Sequence, residues 1–398
     1  MRIRTLVVDD SAIFGRLLQR AMEGIAGVEV IGRCANGRDA LQRIAAESPD
    51  LVTLDIEMPE MNGLDVLRAI RRQGLRTTVV VVSAVSDRAR QLTIQALELG
   101  AVDFLSKPEE GGAAENLAAL RALLTPLAAA AGYRKEVQSL LRGGASPDRT
   151  SPARKAAAPE HTLEADLSRT RLATQTLAIP QDVPEQVPET EAAADETASR
   201  MIRLAGHKKP TMILIGSSTG GTEALARIIP KLPGTLTVPV LIVQHMPPLF
   251  TENLAHSLNG RSELEVREAR DGDIATAGHV YIAPGGSHLK VTAGRQQEIR
   301  LQITADPPEN NCRPAVDYLF RSAALAFPGR ATAVILTGMG RDGTLGLRRL
   351  KAAGCFAIAQ DEATCTVFGM PKEAIQAGVV DLVSPLDSIA AEIVKAVR

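Results

Sequence analysis

The feature that most constrains this chain is a stretch that cannot fold on itself. From about Gly143 to Ser199, Pro147, Pro152, Pro159, Pro180, Pro184 and Pro188 interrupt any helix. Asp182, Glu185, Glu189, Glu191, Asp195 and Glu196 accumulate there, with no Lys or Arg between Arg171 and Arg200. A self-repelling segment broken by proline, which fixes φ and lacks an amide donor, buries too little apolar surface to offset its ordering entropy. The chain of 398 residues therefore divides into two folded blocks around a disordered linker, as its length alone suggests. The expected boundaries are a first domain over 1–125, an extended helix and Ala/Pro/Glu-rich linker over 126–208, and a second domain over 209–398. The helical pattern runs from about Ala113 to Leu141, and no internal repeat is evident.

Both blocks alternate short β-branched runs with helical patterns. In the first, Ile3–Val8, Val28–Gly32, Leu51–Leu54, Thr78–Ser83 and Val102–Leu105 read as strands. In the second the corresponding runs are Thr211–Gly216, Val238–Gln244, Val280–Ala283, Ala331–Thr337 and Phe356–Gln360. Strands this apolar are buried on both faces, which calls for parallel sheets covered by helices. The expectation is a (βα)5 domain followed by a doubly wound, mostly parallel α/β domain.

A net charge of -1 from balanced acids and bases draws the chain to neither nucleic acid nor anionic lipid. The four cysteines, Cys34, Cys312, Cys355 and Cys365, form no C-x-x-C pair and read as reduced thiols. Asp9 and Asp10 cut the first apolar run short, so it lacks the h-region of a signal peptide, and no stretch approaches the ~18 apolar residues of a membrane span. A cytoplasmic protein without membrane insertion is expected.

Ligand chemistry in an open parallel sheet collects at the carboxyl ends of strands. Asp9 and Asp10 end the first strand, Asp55 the third and Ser83 the fourth, and Lys107 follows the fifth. Three converging carboxylates repel one another, and a hard cation with oxygen ligands, such as Mg²⁺, relieves that repulsion. With Lys107 opposite, Asp55 can act as a carboxylate nucleophile toward a phosphoryl group, and Ser83 can donate to a phosphoryl oxygen. A single Asp after a strand is more often a helix cap than a nucleophile; five such residues at matching strand ends are harder to dismiss.

In the second block, the strand ending near Gly216 runs into Gly216-Ser-Ser-Thr-Gly220 and then a helical pattern. G-x-S-x-G at a strand-to-helix turn has the form of a nucleophile elbow presenting Ser218, although the pentapeptide alone is as often a plain turn. Its base must come from His245, His256, His279 or His288, because His161 and His207 fall in the linker or at its edge. His245 ends a strand at the same sheet edge, whereas His256 sits mid-helix. Asp342, after a third strand, can orient an imidazole, and the Ser, His, Asp chain order is no obstacle because triads are defined by geometry. The Met339 amide, or those at the start of the helix after Ser218, would serve a developing oxyanion. A rival reading remains open: Gly338-x-Gly340-x-x-Gly343, with Asp361 about 20 residues on, is also a dinucleotide fingerprint. A receiver-controlled binding module without turnover is a third possibility.

The segments Leu6-Val-Val-Asp-Asp-Ser11, Leu54-Asp-Ile-Glu-Met-Pro-Glu-Met-Asn-Gly63 and Asp103-Phe-Leu-Ser-Lys-Pro108 closely resemble response-regulator receivers. That resemblance implies phosphoryl transfer from a histidine kinase to Asp55, with Ser83 and Phe104 at the switch positions. Ile215-Gly-Ser-Ser-Thr-Gly-Gly-Thr222, Gln244-His-Met-Pro-Pro248, Tyr281-Ile-Ala-Pro-Gly285, Arg313-Pro314 with Val316-Asp317, Ile335-Leu-Thr-Gly-Met-Gly340 and Val367-Phe-Gly-Met-Pro371 resemble the chemotaxis protein-glutamate methylesterases of the CheB type. This second resemblance implies Ser218 as nucleophile, His245 as general base and Asp342 as its partner. It also implies glutamyl methyl esters and glutamine side chains of chemoreceptors as substrates, with no cofactor for the hydrolysis. Three departures stand out: Ser217 where the family usually has Ala, Cys312 where it often has His, and an unusually long linker. Arg313 reads as a surface residue with a possible contact to an acidic substrate helix.

Overall fold

The structure is a computed structural model that describes residues 2–84, 86–107, 112–143 and 207–397. Most of the segment read as a linker, with His161 and its prolines from Pro147 to Pro188, lies outside the described residues. In the first domain β1 (Ile3–Val8), α1 (Ala12–Glu23), β2 (Val28–Cys34), α2 (Gly37–Glu47), β3 (Leu51–Asp55), α3 (Gly63–Arg72), β4 (Thr78–Ser83), α4 (Asp87–Glu98), β5 (Asp103–Ser106) and α5 (Ala113–Gly143) alternate. All sheet pairings are parallel, in the order β2-β1-β3-β4-β5. Every residue of β3 and β4 is buried, in keeping with their largely apolar runs, with Thr53, Asp55, Thr78 and Ser83 as the polar members. Ser11, Asn36, Asn62 and Ser86 start α1 to α4 by accepting an N–H from three residues on, which satisfies one orphan amide in each case. Helix α5 crosses residue 125 without a break, Pro126 included, so the expected boundary falls inside an element.

The second domain contains β6 (Met212–Ser217), α6 (Gly221–Ile228), β7 (Val240–Gln244), α7 (Phe250–Asn259), β8 (Glu265–Glu268), β9 (Ile274–Ala275), β10 (His279–Ile282), β11 (His288–Ala293) and β12 (Ile299–Thr304). It continues through α8 (Val316–Ala326), β13 (Ala331–Ile335), α9 (Thr344–Ala352), β14 (Phe356–Gln360), α10 (Met370–Gln376), β15 (Leu382–Ser384) and α11 (Leu386–Val397). Seven strands form a parallel sheet in the order β15-β14-β13-β6-β7-β10-β8. Alternate residues of β6 feed two cores: Ile213 and Ile215 face one, Met212 and Leu214 the other. A small antiparallel sheet, β11-β12-β9, was not expected from the sequence, and neither were β8 and β15. These strands have two to six residues and partly exposed faces, so they lack the unbroken apolar run that marks the others. The β13 run is shorter than expected because the Thr337 N–H leaves the ladder for Gln360 Oε1 at 2.9 Å.

The two domains pack face to face. Helix α4 lies against α6 and α7, Phe104 stacks on Phe250 with ring centroids 4.4 Å apart, and Glu98 on α4 accepts from Ser257 Oγ at 2.6 Å and from Arg261. One apolar cluster of buried side chains contains members of both domains.

Candidate active site

The order in which strands are added reverses between β1 and β3 in the first sheet and between β6 and β13 in the second. In doubly wound sheets the crevice beyond the strand carboxyl ends at such a point is where ligands sit. Both groups of chemistry-bearing residues fall there.

At the first crevice the carboxylates of Asp9, Asp10 and Asp55 offer oxygens within 4.8 Å of one another. Lys107 Nζ lies 2.6 Å from Asp55 Oδ2 and 3.2 Å from Asp9 Oδ2. Burial raises the Asp55 pKa to about 6; the Lys107 ammonium pulls it back and the Asp9 charge adds to the rise. Asp9 Oδ2 is buried, and its polar neighbour is the Lys107 ammonium at 3.2 Å. Three clustered carboxylate oxygens of this kind fit a hard divalent cation such as Mg²⁺. Ser83 is at the end of β4 as expected, but its hydroxyl is turned away: it donates to Ala84 O at 3.1 Å and accepts from Thr93 Oγ1 at 2.8 Å. Phe104, half-buried, points at the second domain.

At the second crevice Ser218 follows β6, His245 follows β7 and Asp342 lies in the loop after β13. Gly220 makes the turn possible: it caps α6 with φ +78°, a left-handed conformation that a side chain resists. Gly338 brings the β13 loop against Ser218, since a Cβ there would lie 2.8 Å from Ser218 Cβ. Met339 is the next residue of that loop. His245 Nε2 is 2.7 Å from Asp342 Oδ2, and Cys312 Sγ is 3.5 Å from His245 Nδ1. Burial opposes charging the ring, yet the hydrogen bonds from Asp342 and Cys312 outweigh it and lift the His245 pKa to about 9. Asp342 is held below the usual carboxylate range: burial works the other way, but bonds to His245 and to the Asp317 and Val316 amides prevail.

The other candidate bases are elsewhere. His288 is buried, accepts from the Ala315 N–H at 3.2 Å and contacts Pro307 O at 3.1 Å, so both nitrogens are spent on structure. His279 pairs with Glu265 and Ala277 at the far end of β10, and exposed His256 is in the last turn of α7 rather than mid-helix. Arg313 binds the carbonyls of Ala305 and Asp306 on the surface. The dinucleotide reading also fails locally: Asp342, inside that glycine-rich loop, is committed to His245, and Asp361 Oδ1 accepts from Thr364 N at 3.0 Å.

Gln244 is the functional residue that the sequence reading passed over. Its Oε1 accepts from Ser217 Oγ at 2.7 Å, and its Nε2 donates to the carbonyls of Ser218 at 2.9 Å and His245 at 3.1 Å. One buried amide thus clamps two strand ends and gives the Ser217 hydroxyl its partner. A glutamine closing an otherwise apolar strand was the available signal. Thr219 was likewise missed: its hydroxyl donates to Asp103 Oδ2 at 2.7 Å, and the next amide, Gly220 N–H, donates to Val102 O at 2.9 Å.

Fold and site together define a receiver domain joined to an esterase-type α/β domain. Residues 5–118 match the response regulator receiver domain and residues 213–393 match the CheB methylesterase. The protein-glutamate methylesterase/protein-glutamine glutaminase of Desulfotalea psychrophila is 42% identical over 100% of this chain and 99% of its own length. The protein of that name from Bacillus subtilis is 37% identical over 100% of this chain and 99% of its own. Among solved structures, the Thermotoga maritima CheB methylesterase catalytic domain is 44% identical, covers 47% of this chain and 99% of that one, and superposes with a TM-score of 0.46. The chain belongs to the protein-glutamate methylesterase/protein-glutamine glutaminase family and is a hydrolase. No helix among the described residues is long and apolar enough to cross a membrane.

Proposed function

We propose that the second domain hydrolyses glutamyl methyl esters of chemoreceptors, and deamidates their glutamines, by a Ser218-His245-Asp342 acyl-enzyme route. The observation that carries the reading is the His245 Nε2–Asp342 Oδ2 bond of 2.7 Å at the crevice beside Ser218. Nε2 is held by Asp342, so Nδ1, which has the weaker Cys312 Sγ contact at 3.5 Å, is the nitrogen to take the Ser218 proton. Ser218 Oγ attacks the ester carbonyl, an oxyanion forms, and the leaving methoxide departs as methanol with the proton from His245. Water then attacks the acyl-serine, His245 again accepting a proton, and glutamate is released; with glutamine the first leaving group is ammonia. The Met339 amide, in the loop that Gly338 brings against Ser218, serves the oxyanion, a donor worth about 3 kcal/mol in comparable sites.

The first domain is the regulator in this reading, with Asp55 accepting a phosphoryl group from a histidine kinase. Asp9, Asp10 and Asp55 would hold Mg²⁺, which neutralises charge on a transferring phosphoryl group when bound. Lys107 orients Asp55, and Ser83, released from Thr93, would reach the phosphoryl oxygen. The dock over the elbow supports inhibition by the unmodified receiver, because the Val102 carbonyl and Asp103 carboxylate occupy Gly220 and Thr219 beside Ser218. Phosphorylation would loosen that dock through Ser83 and Phe104. Methanol release from methylated chemoreceptor membranes, with and without a phosphodonor, tests both halves. Undiminished release by Ser218→Ala would end the acyl-enzyme reading, and a phosphodonor without effect would end the regulatory one.

A further inference from the structure

The unusual neighbour in the catalytic crevice is Cys312. Its sulfur lies 3.5 Å from His245 Nδ1, and sulfur, imidazole and Asp342 carboxylate group together within 4.8 Å. We propose that His245 Nδ1 and Cys312 Sγ form a binding site for a thiophilic divalent cation, with Zn²⁺ as its representative, and that filling it stops hydrolysis.

The spacing is already right. A tetrahedral ion with nitrogen at about 2.05 Å and sulfur at about 2.3 Å holds the two about 3.5 Å apart, which is the separation seen here. The ring is also pre-oriented. Asp342 Oδ2 accepts from the Val316 N–H at 2.7 Å as well as holding Nε2, and Oδ1 accepts from the Asp317 and Gly343 amides at 3.0 Å and Asn310 Nδ2 at 2.9 Å. A carboxylate so saturated is not itself free to ligate. It fixes the ring from behind, which is how metal-bound histidines are ordinarily oriented. The cation thus has two protein donors, and its other positions stay with water. Such an open site exchanges its ion, unlike the closed four-ligand sites that hold structural zinc. On binding, the thiol and imidazole release their protons to solvent and no electron moves.

The chain would then carry two cation sites of opposite character. The receiver's three carboxylates offer only oxygen and suit Mg²⁺, whereas sulfur and nitrogen select a softer ion. Inhibition rests on the reading of His245 as base for Ser218, because the cation takes the same Nδ1 lone pair. Binding itself rests on the geometry alone.

The test uses the full-length chain in saturating Mg²⁺ without phosphodonor. Co²⁺, a spectroscopic stand-in, should give thiolate-to-cobalt absorption in the wild type and in Ser218→Ala, and lose it in Cys312→Ser. Zn²⁺ should inhibit methanol release reversibly on chelation. Its half-inhibiting concentration, each protein taken relative to its own metal-free rate, should rise roughly tenfold or more in Cys312→Ser. Should that variant fold poorly, Zn²⁺ must instead shield Cys312 of the wild type from alkylation, read by mass spectrometry. No thiolate absorption in the wild type, or undiminished absorption in Cys312→Ser, overturns the site. Cys312-dependent absorption without inhibition overturns the switch. If absorption depends on Cys312 while Ser218→Ala hydrolyses normally, the catalytic reading falls and the metal site stands.

Discussion

His245 is the residue on which the site turns, and its surroundings make a prediction about pH. In the proposed mechanism His245 must be neutral to act as base, and this ring, with a pKa of about 9, is mostly protonated at neutral pH. Hydrolysis should therefore rise with pH up to about 9, roughly tenfold per unit on the acidic limb. Cys312→Ala removes a sulfur that favours the charged ring, so its limb should move to lower pH; a stopped methanol assay across the range reads both. Ser218→Ala and His245→Ala should each lose turnover by four orders of magnitude or more, and the double variant by about the same, since the pair acts as one unit. Asp342→Asn should be the mildest of the three on turnover, because a poorly oriented imidazole can still serve as base. The structure adds a cost in stability: its oxygens accept from the Val316, Asp317 and Gly343 amides, and an amide NH₂ cannot accept. One N–H left unpaired in this buried site should cost about 1–3 kcal/mol, visible as a lowered thermal midpoint.

The elements that matter most are strand ends. β3 delivers Asp55 to Lys107, and the label from a phosphodonor should appear there only with Mg²⁺ and vanish in Asp55→Asn. Equal labelling of that variant would place the acceptor elsewhere. The sign of the Asp55 shift also bears on stability. Its folded pKa is raised above the ordinary 3.8 to about 6, so the fold holds more protons than the unfolded chain between those values. Without divalent cation, the contribution from this residue should fall as pH rises through that window. The start of β5 presents Val102 and Asp103 to the second domain. Asp103→Ala deletes the acceptor for Thr219 without touching Ser218, His245 or Asp342, and should raise hydrolysis by the unphosphorylated chain several-fold. An unchanged rate would mean that this contact does not restrain the elbow.

At the scale of the whole molecule the prediction concerns the dock. A long flexible linker of the kind expected from the sequence supplies only modest effective concentration, so the interface must hold the receiver mainly by itself. The glutamate at 98, the Phe104–Phe250 stack and the bonds at Thr219 and Gly220 are available for that. A fragment from residue 207 onward should exceed the unphosphorylated full chain in methanol release, and a phosphodonor should close the gap. Equal rates would shift the role of the receiver from covering the site to recruitment.

Much of this was legible without coordinates. Largely apolar runs mark β1, β3, β4, β6 and β7 because a strand buried on both faces has little polar side to show, and the residues that follow such strands must meet at a sheet edge. Ser218, His245, Asp342 and the Asp9, Asp10, Asp55, Lys107 group could be located on that ground alone. The histidine at the end of a strand could be preferred over three others, but the sequence could not show His288 committed to Ala315 and Pro307, or Gln244 clamping two loops. Nor could it show Ser83 turned toward Thr93. Hydrogen-bond directions depend on how loops close in three dimensions. The meeting of Cys312 with His245 joins residues 67 positions apart, and that of Asp103 with Thr219 residues 116 apart. Periodicity reports only which way a side chain faces within its own element; contacts between loops and between domains are set by packing, and only the tertiary structure decided them.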